Sequence, residues 1–132
     1  MELQLKIIGV LLLILAFIHL IFPRYFDWRN DLKGLTLINR QIIQVHTFFI
    51  ALTVLLMGIL CLSSPTELIS TVLGRRIAAG LALFWFIRLL IQFFGYSSKL
   101  WKGKRFETIV HIAFALLWTY FSFVFFSVYL NR

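Results

Sequence analysis

The chain has 132 residues, of which 61% are hydrophobic and 14% charged, against roughly 45–50% and about 25% in soluble domains. A soluble core of this size cannot hide so much apolar surface, so the composition excludes an ordinary soluble domain and points to lipid as the solvent. The formal net charge is +8, but no basic face or nucleic-acid module accompanies it, so nucleic acid is excluded as a partner and the lysines and arginines read as cytoplasmic loop and headgroup residues.

The first apolar run covers about residues 5–22 and carries His19 some three residues before its end. It lacks an A-x-A-like site and is followed by the polar stretch PRYFDWRND, so it reads as an uncleaved span rather than a signal peptide. The segment 23–40 holds Arg24, Arg29, Lys33 and Arg40, with Tyr25, Phe26 and Trp28 suited to an aromatic belt at the membrane interface.

The second run covers about 41–62. His46 lies about five residues into it, on a face with Asn39 and Thr53 at seven-residue spacing, while Arg40, Gln44 and Thr47 take a different face. Cys61 is the single cysteine, which excludes an intramolecular disulfide and CxxC redox chemistry. In SSPTEL, Ser64 as N-cap, Pro65 at the first helical position and Glu67 beyond it form a helix-start pattern, either a short interfacial helix or an early beginning of the third span.

The third run covers about 76–95. Gly74, Ala78 and Ala82 recur every four residues, which lets this helix approach a neighbour closely. Arg88 and Gln92 are spaced i and i+4 and share a face, flanked by Trp85 and Tyr96. The segment 96–106 carries Lys99, Trp101, Lys102, Lys104 and Arg105. The fourth run, about 108–130, is preceded by Glu107, which shares a face with His111, Phe114, Ala115 and Trp118.

Each run approaches the ~20 residues that a helix needs to cross a bilayer, and none alternates as barrel strands do. The expected fold class is therefore all-α: one domain, residues 1–132, forming a four-helix transmembrane bundle with short loops. The two halves show no self-similarity. The two basic loops hold four cations each, against Lys6, Arg75, Arg76 and Arg132 on the opposite side. The positive-inside rule then puts loops 23–40 and 96–106 in the cytoplasm and both termini outside, in a bacterial-type inner membrane.

His19, His46, Arg88, Gln92, Glu107 and His111 all fall within about 0–11 Å of the same interface at 1.5 Å per residue, while the outer half is nearly free of ionisable groups. Each has a plainer reading: Arg88 snorkels, Glu107 meets a helix dipole, His19 is a structural hydrogen-bonder, and Gln92 is interhelical glue. Their conjunction in one layer points to an inward-facing polar pocket open to the cytoplasm.

Three chemistries use such residues. His19, His46 and His111 are candidate metal ligands, and two imidazoles such as His46 and His111 can clamp a haem, with Arg88 neutralising a propionate. A quinone needs one histidine and one arginine or glutamine on its carbonyl oxygens, with Glu107 carrying protons. Glu107 and His111 can also act as acid and base on a lipid or isoprenoid. The sequence has no GxSxG, no HExxH and no Gly-rich phosphate loop, and ETIVH has the wrong spacing for a diiron motif. The favoured expectation is a membrane protein binding haem or quinone through His46, His111, Arg88, Gln92, His19 and Glu107. The alternatives are a membrane enzyme acting on a lipid or isoprenoid, or a non-catalytic assembly subunit of a membrane complex or homo-oligomer.

Overall fold

A computed structural model describes residues 1–25, 27–95 and 103–130. The elements run α1 (Glu2–Tyr25), α2 (Trp28–Asp31), a 3₁₀ turn (Leu32–Gly34), α3 (Leu37–Ser63), α4 (Pro65–Ser70), α5 (Val72–Phe94) and α6 (Arg105–Leu130). The protein is all-α as expected, and no strand occurs among the described residues. α1, α3, α5 and α6 are long and apolar enough to span a bilayer, which makes this an integral membrane protein. Phe26, Tyr96, Lys99, Trp101, Lys102 and Arg132, to which the sequence reading gave interfacial or topological roles, lie outside the described residues.

All four long helices begin before the apolar runs by three or four residues. An apolar run measures the hydrocarbon core, whereas the backbone ladder continues into the headgroup region until a cap closes it. Thr36 caps α3, its Oγ1 accepting the Asn39 N–H at 3.4 Å. Thr71 caps α5, with Oγ1 accepting the Gly74 N–H at 2.8 Å while its hydroxyl donates to the Glu67 carbonyl at 2.7 Å. The SSPTEL pattern starts the separate short helix α4, not an extension of the third span. Gly74 then lets α5 leave α4 at a tight corner, since a Cβ there would meet the Leu68 Cα at 2.6 Å.

The chain divides into two compact units, Leu3–Pro65 and Thr66–Arg132 together with Met1–Glu2. In the first, α1 and α3 approach through Gly9 and Gly58: a Cβ on Gly58 would lie 2.9 Å from the Gly9 carbonyl oxygen. Small residues at such a crossing bring backbones close, and packing contacts take over where no hydrophobic driving force exists in lipid. The connection from α1 to α3 turns at Asp27, whose φ of 52° is left-handed. Its carboxylate accepts from the Asn30 side-chain amide at 2.8 Å.

In the second unit α5 and α6 run antiparallel. Trp85 faces Trp118 and Gln92 faces His111, pairs seven residues apart along each helix. The buried residues of α5 are Gly74, Ala78, Leu81, Ala82, Trp85 and Gln92, and those of α6 are Ala115, Trp118, Phe121, Val124, Phe125 and Val128. Both sets recur at three- and four-residue intervals, the period of one helix face. The small stripe Gly74–Ala78–Ala82 is buried, as expected.

Candidate functional site

The α5–α6 pair gathers three of the six candidate residues into one hydrogen-bonded cluster. Gln92 is at its centre and is only 6% exposed. Its Oε1 accepts from Arg88 Nη1 at 3.3 Å and from Trp118 Nε1 at 3.3 Å, and its Nε2 lies 2.9 Å from His111 Nδ1. Arg88 and Gln92 share a face because they are one turn apart. His111 and Trp118 share a face of α6 because they are seven residues apart.

These contacts fix atoms that ordinary geometry leaves open. Arg88 and Trp118 offer only donors, so the amide oxygen must face them and the amide nitrogen must face His111. That nitrogen donates, so His111 Nδ1 accepts and the ring proton resides on Nε2. A proton on Nδ1 would set two donors against each other. Within this cluster the tautomer that satisfies Gln92 therefore carries its ring N–H on Nε2.

An aromatic stack surrounds the polar core. The Trp118 ring stacks on Trp85 at 5.0 Å and 14° and on Phe114 at 5.5 Å and 17°. The Arg88 guanidinium carbon lies 5.1 Å from the Trp118 ring centroid, within cation–π range. Phe93 meets the His111 ring edge-on at 5.9 Å. Trp85 is 2% exposed, and its Nε1–H has no hydrogen-bond partner among the described residues.

The other candidates lie elsewhere. Glu107 is exposed in the first turn of α6, where a carboxylate meets the positive end of the helix dipole. His19 and His46 belong to the first unit. His19 is half-buried, donates from Nδ1 to the Leu15 carbonyl at 2.9 Å and packs its ring on Phe22 at 4.8 Å. His46 is exposed, as are Asn39 and Thr53 on the same face of α3. Among the described residues of either unit, no three His, Cys, Asp or Glu side chains gather closely enough to hold a metal ion.

Sequence reasoning placed Trp85 and Trp118 on the right faces but did not assign Trp118 to the polar network. The signal was present: an indole seven residues after His111 on a membrane helix carries an N–H that must find an acceptor. Comparison with protein-family models, curated proteins and solved structures finds no match.

Proposed function

We propose that this small integral membrane protein holds a lipophilic carbonyl ligand of the quinone class at the α5–α6 cluster, near the cytoplasmic side of a bacterial-type inner membrane. Loops 23–40 and 96–106 face the cytoplasm in this reading, and lipids are the surrounding partners. The observation that carries it is the donor arrangement: Gln92 fixes the His111 proton on Nε2 and orients Arg88 beside a stack of flat rings. An aromatic stack suits a planar ring, and two N–H donors suit its carbonyl oxygens. Arg88 donates to Gln92 and lays its guanidinium against the Trp118 ring, which puts a fixed cation beside the aromatic stack.

The same tautomer weighs against haem at His111. Axial ligation through Nε2 requires the proton on Nδ1, which is the nitrogen that accepts from Gln92. Acid–base chemistry by Glu107 and His111 gains less support, because Glu107 is exposed on the surface of α6. A second reading, an assembly subunit whose cluster only clasps two helices, is favoured by one observation: both polar ends of Gln92 already have partners within the α5–α6 pair.

The test is to purify the protein in mild detergent, record its visible spectrum, and analyse its lipid extract by mass spectrometry. Wild type is expected to lack a Soret band and to retain a quinone-headed lipid near one per chain. Arg88→Gln and His111→Ala should each lower retention about tenfold, the effect of one lost hydrogen bond of about 1.4 kcal/mol. A Soret band, or no retention even after a short-chain quinone is titrated back, refutes the reading. In the latter case, loss of stability in both variants favours the clasp.

A further inference from the structure

A second feature of the α5–α6 pair is independent of the polar cluster. A groove of about 620 Å³ runs between the two helices, with Ala82, Phe86, Thr119, Phe123 and Phe126 among its lining. On α5 it extends from Ala79 to Leu89, and on α6 from Thr119 to Tyr129. Ten residues at 1.5 Å make about 15 Å on either helix, half of a ~30 Å hydrocarbon core. The groove is thus one leaflet deep.

Its lining is apolar. Apart from Tyr129 at one end, the hydroxyls among its lining residues are Thr119 and Ser122, and both donate to their own helix, to the Ala115 and Trp118 carbonyls at 2.8 Å. Divided by its length, the volume gives a section of about 40 Å². A narrow apolar channel of that shape accommodates a hydrocarbon chain.

One end of the groove is charged. Tyr129 lines both the groove and a hollow of about 260 Å³ formed with Val72, Arg75, Arg76 and Leu130. Two guanidinium groups there meet the first turn of α5, whose dipole adds positive potential at the same place. A basic hollow opening onto a one-leaflet apolar groove has the charge and the dimensions of a single lipid. We propose that this surface binds an anionic glycerophospholipid, with its phosphate on Arg75 and Arg76 and one acyl chain along the groove.

Native mass spectrometry of the full chain from detergent micelles, with added phosphatidylglycerol or phosphatidylcholine, tests this. Wild type should bind phosphatidylglycerol at least about tenfold more tightly, since each arginine near an anionic headgroup contributes about fivefold. The double variant R75Q/R76Q should bind the two lipids equally. Ala79→Phe, which fills the groove, should weaken both. Thermal melting of each variant checks the fold, and the wild-type preference should fall as salt is raised. Three results overturn the proposal: equal binding of the two lipids by wild type, a preference that survives R75Q/R76Q, or competition by inorganic phosphate as strong as that by the whole lipid. A dimer that Ala79→Phe abolishes would assign the groove to a second copy and also overturn it.

Discussion

Replacing Gln92 with leucine removes the centre of the α5–α6 network while keeping similar volume. The 2.9 Å contact with His111 lies in the favourable range, and the two at 3.3 Å lie just beyond it. Interhelical hydrogen bonds in membranes are worth about 0.6 kcal/mol on average and up to about 1.7. Only the bonds to His111 and Trp118 cross to α6; taking the short one near 1.5 and the long one near 0.5 gives about 2 kcal/mol. Better apolar packing of leucine offsets up to about 1 kcal/mol, so Gln92→Leu should destabilise the α5–α6 pair by about 1–2 kcal/mol. Reversible unfolding in mixed micelles, followed by tryptophan fluorescence, measures it, since Trp85 and Trp118 report from the site. A double-mutant cycle with His111→Phe should give a coupling of about 1 kcal/mol. A Gln92→Leu protein as stable as wild type, or a coupling near zero, would refute the network as a source of stability.

Gln92→Glu replaces the amide donor with an acceptor, so His111 must donate from Nδ1; nitrogen NMR should show the ring proton moved from Nε2 to Nδ1. Gly58→Ala should cost about 1–3 kcal/mol because its Cβ meets the Gly9 carbonyl. Gly80→Ala, which meets nothing within 4 Å, should instead stabilise α5 by roughly 0.5–1 kcal/mol; detergent unfolding of the pair checks both signs. Thr71→Ala should lower stability by about 1 kcal/mol through loss of the Gly74 cap, read as a fall in melting temperature. Cys61 is 0% exposed, so a maleimide should label it no faster than the first unit opens, and Gly58→Ala should raise the labelling rate.

The bilayer explains what the sequence made legible and what it did not. Span number and length follow from the hydrocarbon thickness, which any apolar run must match. The Arg88–Gln92 pair and the buried Gly74–Ala78–Ala82 stripe follow from helical period alone. Facing direction is a different problem, because lipid and helix interface are equally apolar and leave no hydrophobic contrast. His46 shows the consequence: depth alone groups it with the inward-facing pocket residues, yet it is exposed, as are Asn39 and Thr53 on the same face of α3.

Register was the other missing quantity. Slipping α6 by one turn against α5 would set Glu107 or Ala115 opposite Gln92 in place of His111, and periodicity is blind to that choice because every apolar residue keeps its face. What distinguishes the observed register is polar. His111 is the group at that depth able to accept from the amide nitrogen while Trp118, seven residues on, supplies a donor to the amide oxygen. A slip would leave the nearly buried Gln92 short of partners in a medium with no water to replace them. The residues proposed to hold a ligand are thus also those that select one pairing of two otherwise uniform helices, which is why stability and ligand retention have to be measured on the same variants.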